Sequence, residues 1–332
     1  MVTTMQTGVV LQAVDGPHAF TARAARIAEL GYDRLWLTDS SLHTASPWSY
    51  LTLAAGAAPR LTLGTAVTNP VTRHPAIVAV EAATLAEVSD GRFTLGIGVG
   101  DRPLRALGLA NARVDDLDQS IDAIRRLLAG ERVTGSAGPH RLVDAELRHP
   151  TQQQVPVFVA ASGPRTLELA GRVADGVILL CGLDPVAIDW ALAHVDRGAA
   201  AAGRPRPHIA LFAYGAVHDD EQAALAAARS IAAWFPQTAP VYCDLLGLDP
   251  AVAERVRASY SGGEFQEAAV AAAEIPDAFV AQVALCESPD RAADRLRRLA
   301  AAGVSSVNVF PLGDRRDETI EGFAAARRTA GL

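Results

Sequence analysis

Leu61-Thr62-Leu63-Gly64-Thr65-Ala66-Val67 is followed by Asn69-Pro70 and Thr72-Arg73-His74-Pro75, then by a helical stretch to Val88, and then by Phe93-Thr94-Leu95-Gly96-Ile97-Gly98. The outer pieces are short β-branched or leucine-rich runs bounded by turn residues, which is how buried strands read. Between them, Pro75 stands where a first helical turn needs no N–H, and Ile77, Val80, Leu85 and Val88 fall on one face. The stretch is therefore a strand, a helix and a second strand in succession. The same unit recurs on both sides. Thr7 to Leu11 and Asp33 to Thr38 precede it, and the helical run Ala22 to Leu30 between them ends at Gly31, a C-cap glycine. Val155 to Ala161, Gly176 to Leu180, Ile209 to Val217 and Val304 to Phe310 follow. Eight such strands spaced by helices predict a parallel sheet closed into a (β/α)8 TIM barrel.

The chain has 332 residues, enough for two ordinary domains or one large barrel. We read a single domain over 1–332. Its irregular part, His218 to Ala284, is Ala-rich, broken by Pro236, Pro240, Pro250 and Gly262-Gly263, and reads as a helical insertion between the seventh and eighth strands. A loop-rich stretch from Arg132 to Gln154 reads as a lid. The final helix is expected over Asp317 to Ala330. A doubly wound sheet would need a dinucleotide fingerprint near the first strand, and Gly8 to Gly16 contains none. Gly96-Ile97-Gly98-Val99-Gly100-Asp101 fails that spacing. Glycine at every second position instead clears one face of a strand, so that something bulky can lie near its backbone.

Composition removes several chemistries. All 30 of the Lys+Arg residues are Arg, so Schiff-base lysines and the P-loop GK[ST] are excluded. A formal charge of -7 disfavours nucleic acid as a partner. No apolar run reaches the length of a membrane span, and no signal-like start is present, so a soluble cytoplasmic protein is expected. Cys181, Cys243 and Cys286 are scattered, which suits a reducing compartment and buried thiols. No HxH or HExxH occurs, so no metal is expected, and the lack of GxSxG leaves a serine nucleophile without support.

Three clusters stand at predicted strand C-termini, where barrels place their functional groups. The first is Thr38-Asp39-Ser40-Ser41 with His43 and Trp48, the second Gly64 to Pro70 with Thr72 to Pro75, and the third Gly98 to Asp101. Each alone also reads as an N-cap, a turn or a solvated loop. A fourth cluster, Ser162-Gly163-Pro164-Arg165-Thr166, pairs free N–H groups at a helix start with hydroxyls and a guanidinium, which suits a phosphate. It reads equally as a serine cap before a first-turn proline. Cys181-Gly182 beside it could add amides. A glycine-cleared mouth with a phosphate niche suits a large, flat, phosphorylated cofactor.

The run Leu63 to Pro75, continuing through Ala83-Thr84-Leu85, Ser89-Asp90-Gly91-Arg92 and Leu95 to Asp101, resembles the bacterial luciferase-like superfamily of flavin- or F420-dependent oxidoreductases, and most of all its methylenetetrahydromethanopterin reductase-like branch. Pro156 to Leu180 resembles it too, and Ala300 to Pro311 more weakly. The resemblance implies a homodimeric TIM barrel that holds F420, or alternatively FMN, in its mouth and acts on a small organic molecule. It implies a non-proline cis peptide in a third-strand bulge, at Ala66-Val67. It further implies Asp39, Thr65, Ala66, Val67, Thr68, Val99, Gly100 and Asp101 as ring neighbours, and Ser162, Gly163, Pro164, Arg165, Thr166, Cys181 and Gly182 as the phosphate niche. Many F420-using relatives carry a His after the acid ending strand two, where this chain has Ser40. Asp101 is then the expected acid, with His43 and Asp39 as further catalytic candidates. The expected reaction is hydride transfer to or from a deazaflavin. An FMN-dependent monooxygenase and a non-catalytic flavin-binding protein are the alternatives.

Overall fold

The computed structural model describes residues 5–100, 102–260, 268 and 270–332. Eight parallel strands form a closed barrel: β1 (Gln6–Leu11), β2 (Arg34–Leu37), β3 (Thr62–Thr65), β4 (Phe93–Ile97), β7 (Val157–Ala161), β8 (Gly176–Leu179), β9 (His208–Val217) and β11 (Ser306–Pro311). Each pairs with the next, β8 pairs β9, β9 pairs β11, and β11 returns to β1 through Gln6↔Ser306. The intervening strands β5 (Val133–Ala137) and β6 (His140–Ala145) make a separate antiparallel hairpin, and β10 (Leu285–Glu287) extends β9 at its far end.

The strands read continuously apolar because both of their faces are covered, one by helices and one by the barrel interior. The interior is filled, not hollow. Trp36, Phe158 and Phe212 interlock there with ring centroids 5.6 to 5.8 Å apart, and Trp36 Nε1 donates to Asn308 Oδ1 at 2.9 Å. Gly64 is required by this packing, since a β-carbon there would overlap the Trp36 ring. At the N-terminal end of the barrel the Arg34 guanidinium lies over Trp36 and Phe158 while its Nε donates to Gln6 Oε1 at 3.0 Å.

Several sequence expectations are corrected here. The Pro75–Val88 helix buries Val78, Ala79, Ala82, Ala83, Leu85 and Ala86, whereas Ile77, Val80 and Val88 are exposed. Small residues let this helix sit close to the strands, so its alanines face the core and its larger aliphatics face outward. The 132–154 stretch is no open lid. Its first part is the β5–β6 hairpin, packed on the Val114–Leu128 helix, and a β-carbon at its Gly138 (φ +70) would overlap the Asp116 carbonyl and the Ser120 hydroxyl. The first helix begins at Pro17, earlier than Ala22, and the last spans Arg316–Ala330. Between the seventh and eighth barrel strands the inserted segment is helical, with Glu221–Ala232, Trp234–Thr238, Pro240–Leu245, Pro250–Ser259 and Asp277–Val283 among the described residues.

Candidate functional site

A cavity of 460 Å³ opens at the C-terminal end of the barrel. Barrel enzymes place their chemistry there because the βα loops converge on that face. Its walls come from most of the strands: Gln12 after β1, Thr38 to Ser40 after β2, Ala66, Val67 and Asn69 after β3, and Gly98 to Gly100 after β4. Ala160 to Gly163 and Thr166 follow from β7, Ile178 and Leu180 from β8, and Phe212, Tyr214 and Phe310 from β9 and β11.

The most regular feature is a bulge. β3 stops at Thr65, the Ala66–Val67 peptide is cis, and pairing resumes where Thr68 N donates to Gly96 O and Gly98 N donates to Thr68 O. Below the bulge, Thr65 Oγ1 donates to Gly96 O at 2.8 Å and accepts from Gly96 N at 2.9 Å, which stitches β3 to β4. The alternating glycines of β4 serve this bulge first. A β-carbon at Gly96 would overlap the Thr65 carbonyl oxygen, and one at Gly98 would come within 3.1 Å of Val67 Cγ2 and 3.3 Å of the Ala160 β-carbon. Gly100 has φ +88, a conformation that costs glycine nothing. What the glycines clear is therefore a seat for the chain's own backbone, and the bare surface that results faces the cavity.

Asp39 stands two residues beyond β2 with its side chain 2% exposed, and both of its oxygens are used. Arg73 Nε donates to Oδ2 at 2.7 Å and Nη2 to Oδ1 at 3.1 Å, while the guanidinium rests 5.7 Å from the Trp48 ring centre. This pairing raises the Arg73 pKa, its hydrogen bond to Asp39 outweighing burial. Arg73 is held by a local turn in which Asn69 Oδ1 accepts from Val71 N at 3.0 Å and Thr72 N at 2.8 Å. Next to it His74 caps the helix through Nδ1, which accepts from Ala76 N. His140 of the hairpin bonds Pro70 O through Nε2 at 2.9 Å, and its ring lies tilted by 45° with its centroid 4.5 Å from that of His74. Burial, and then His140, lowers the His74 pKa.

At β7, Ser162 Oγ donates to Leu180 O at 3.1 Å, and Tyr242 of the insertion donates to Ser162 O at 2.8 Å. Two strands and the inserted helices thus fix the loop before the Pro164–Val173 helix. Burial pushes the Tyr242 phenol well above its ordinary value.

Of the residues singled out in the sequence, Asp39, Ala66, Val67, Val99, Gly100, Ser162, Gly163 and Thr166 line the cavity. Thr65 and Thr68 lie beneath its floor, both wholly buried, and Thr68 Oγ1 has no hydrogen-bond partner. Arg165 does not face the mouth. It lines a separate outer depression with Glu168, Arg172 and Arg197, and Pro164 beside it is exposed, because the helix turns these positions outward. Cys181 and Gly182 do not line the cavity either. Cys181 is fully buried, with its thiol pKa pushed up to about 12 by desolvation, and Gly182 packs against Gln282 and Val283 of the Asp277–Val283 helix. His43 is exposed on the loop after β2 and outside the walls. Asp101 lies outside the described residues.

Sequence reasoning did not single out Gln12, Asn111, Thr238, Phe212, Tyr214 or Phe310 for the cavity, nor Arg73 as the partner of Asp39. A signal existed for the aromatics, since Phe212 and Tyr214 sit at alternate positions of β9 and Phe310 is next to the end of β11. Trp234 lines the cavity, as the wall reading of the insertion aromatics anticipates, whereas Phe235 and Tyr242 are buried core.

Whether this mouth fits a flat, phosphorylated cofactor can be asked of its own atoms. Thr38, which lines the cavity, has a buried Oγ1 without a partner, beside a bare backbone bed at Ala66–Val67 and Gly98–Gly100. An unpaired buried hydroxyl is costly, so one at the edge of a cavity marks a place for a ligand atom. The Ser162–Thr166 corner, with the first turn of a helix, offers amides to an anion. The residues present fit such a group. No cluster of His, Cys, Asp or Glu able to hold a metal occurs among the described residues.

Residues 1–306 match the family model described as luciferase-like monooxygenase. The chain is similar to the 5,10-methylenetetrahydromethanopterin reductase of Methanolobus tindarius, with 32% identity over 307 residues covering 90% of this chain and 93% of that protein. It is also similar to an F420-dependent glucose-6-phosphate dehydrogenase of Intrasporangium calvum, 28% identical over 328 residues and 93% of both chains. The solved structure of the coenzyme F420-dependent tetrahydromethanopterin reductase from Methanopyrus kandleri superposes with a TM-score of 0.83 at 25% identity, over 96% of this chain and 97% of that one.

Proposed function

This chain belongs to the luciferase-like monooxygenase family, and on that premise we propose that it is an F420-dependent oxidoreductase moving a hydride between the deazaflavin and a small organic molecule. The observation that carries this reading is the bare bed formed by the Ala66–Val67 bulge over Gly98 and Gly100, edged by the unpaired Thr38 hydroxyl. When bound, the deazaflavin supplies a carbon that gives or takes a hydride at its open face. The chain's residues do the rest. Ala66, Val67, Val99 and Gly100 cover one face of the ring, and Ser162, Gly163 and Thr166 hold the phosphorylated tail. The Asp39–Arg73 pair, with all four of its facing atoms engaged, acts as a rigid wall that holds the mouth in shape. Proton transfer is assigned to Asp101 by its place after β4, and His43, outside the walls, serves at most through water. Such a site accelerates hydride transfer mainly by orientation and by excluding water.

We further propose a homodimer. Ile77, Val80 and Val88 face outward from one helix, and Leu53 is exposed on the Pro47–Ala57 helix packed beside it, forming an apolar face of the kind that marks association. The three free thiols suit a reducing compartment, and we place the enzyme in the cytoplasm on that ground.

The test is direct. Purified apoprotein titrated separately with F420 and FMN should take up F420 at micromolar concentration. Uptake of FMN alone, with oxygen consumption on reduction, would replace this reading with the monooxygenase. Cofactor uptake without turnover over a broad substrate panel would leave a binding protein.

A further inference from the structure

Resting on the F420 reading above, we propose that Tyr242 of the insertion is a positioning residue for the cofactor's phosphate, its hydroxyl holding the Ser162 carbonyl out of the niche and leaving the Gly163 N–H for the anion. Ser162 is held from two sides. Its Oγ donates to Leu180 O at 3.1 Å, and its carbonyl accepts from Tyr242 Oη at 2.8 Å. Among the described residues the one cis peptide is Ala66–Val67, so the Ser162–Gly163 unit is trans and its C=O and N–H point in opposite directions. Tyr242 is wholly buried and outside the cavity walls, whereas Gly163 lines the cavity. With the oxygen turned toward the phenol, the Gly163 N–H points away from it, and this N–H has no hydrogen-bond partner among the described residues. Pro164 brings no N–H. The next amides, of Arg165 and Thr166, fall in the first turn of the Pro164–Val173 helix, where the helix supplies them no carbonyl. The set of amides open to an anion therefore depends on how one peptide plane is turned.

The phenol is well placed for that task. Trp190 meets its ring edge-on at 5.5 Å and 84°, and Phe235 does so at 6.3 Å and 82°, which fixes the ring plane and with it the direction of the hydroxyl. Burial keeps the phenol protonated, so toward a carbonyl it acts as a donor. Deprived of this donor, the Ser162 carbonyl is free to turn toward the cavity, where its oxygen repels an anion and the same rotation takes the Gly163 N–H out of the niche. The inserted segment that carries Tyr242 also places Trp234 and Thr238 on the cavity wall, and Phe235 lies edge-on to both Trp234 and Tyr242. The insertion thus reaches the cofactor's tail as well as the wall of the mouth. A hydroxyl that served folding alone would, on removal, affect the binding of ring and tail alike.

Tyr242→Phe deletes the hydroxyl and keeps the ring. Fluorescence titration of wild type and variant compares F420 with the same deazaflavin chromophore carrying its ribityl chain without the phosphate. F420 should bind the variant about five- to twenty-fold more weakly, and the phosphate-free ligand should stay within about two-fold of its wild-type affinity. Equal weakening of both ligands would overturn the proposal, as would unchanged F420 binding. Phe235→Leu removes packing beside Tyr242 and leaves its hydroxyl, so it should shift both ligands by the same factor, and a loss confined to F420 would assign the effect to packing and refute the role of the bond. Should Tyr242→Phe fail to fold or the phosphate-free ligand fail to bind, hydrogen exchange on the wild-type protein decides. Saturating F420 should slow exchange both in 162–167 and in 240–246, and protection confined to the first segment would refute the coupling. Wild-type protein that takes up neither deazaflavin would count against the cofactor reading itself, an outcome separate from a loss of F420 binding seen in the variant alone.

Discussion

Replacing Arg73 by Met removes one partner of a buried pair and strands the other. The Asp39 side chain is 2% exposed and accepts two bonds, at 2.7 and 3.1 Å, from a guanidinium that is itself 26% exposed. Breaking a buried pair from one side typically costs about 3 to 5 kcal/mol, because a desolvated charge is left alone. Partial exposure of Arg73 lets water reach the site and reduces that figure, so Arg73→Met should destabilise the protein by about 2 to 4 kcal/mol. Asp39→Asn in the same background relieves the stranded charge, and the double variant should therefore be more stable than Arg73→Met alone by about 1 to 2 kcal/mol. Urea unfolding at pH 7, followed by circular dichroism with the m-values compared, measures each corner of the cycle. Arg73→Met within 1 kcal/mol of wild type, or a cycle additive within about 0.5 kcal/mol, would refute the view of this pair as a structural wall.

Three further outcomes follow from other parts of the molecule. Burial, and then the Arg34 charge, lowers the His208 pKa to about 4 from 6.5, so the unfolded chain binds the extra proton between those values and stability falls on acidification through that window. This group should account for about 3 kcal/mol of the loss, and His208→Gln should flatten the pH dependence of unfolding below pH 6.5, parallel curves being the contrary result. Gly96→Ala should displace the Thr65 carbonyl and weaken F420 binding at least about thirty-fold, while Gly98→Ala meets side-chain carbons of Val67 and Ala160 and should weaken it no more than about five-fold; similar losses from both would refute the bulge-seat role. Ile77→Glu with Val80→Glu should leave folding intact and shift the species seen by light scattering from dimer to monomer, an unchanged mass removing this face from the interface.

How far the sequence carried the reading depends on what each residue's role is set by. The eight barrel strands were legible because a strand covered on both faces must be apolar throughout, and Thr62 to Thr65 or Gly176 to Leu179 need no distant information to say so. Asp39, Val99 and Ser162 were legible as rim residues because strand ends in a barrel point to one face. The outward face of the Pro75–Val88 helix was not, since apolar periodicity marks a stripe without saying whether core or solvent lies beyond it, and here alanines pack inward. Arg165 and Cys181 were adjacent in sequence to cavity residues, yet a helical turn carries one outward and the inserted helices bury the other.

By itself the sequence determined the alternation of elements, the barrel, the exclusion of lysine chemistry and the family, because these depend on local pattern and on residues that neighbour one another along the chain. Only the tertiary structure decided that Arg73 meets Asp39, that Gly96 and Gly98 seat the β3 bulge, and that Tyr214 and Phe310 stand across the mouth from it. The physical reason is closure. Bending eight strands into a ring brings together side chains tens to hundreds of residues apart, and which atoms then touch is set by strand register and barrel geometry, which local pattern does not encode.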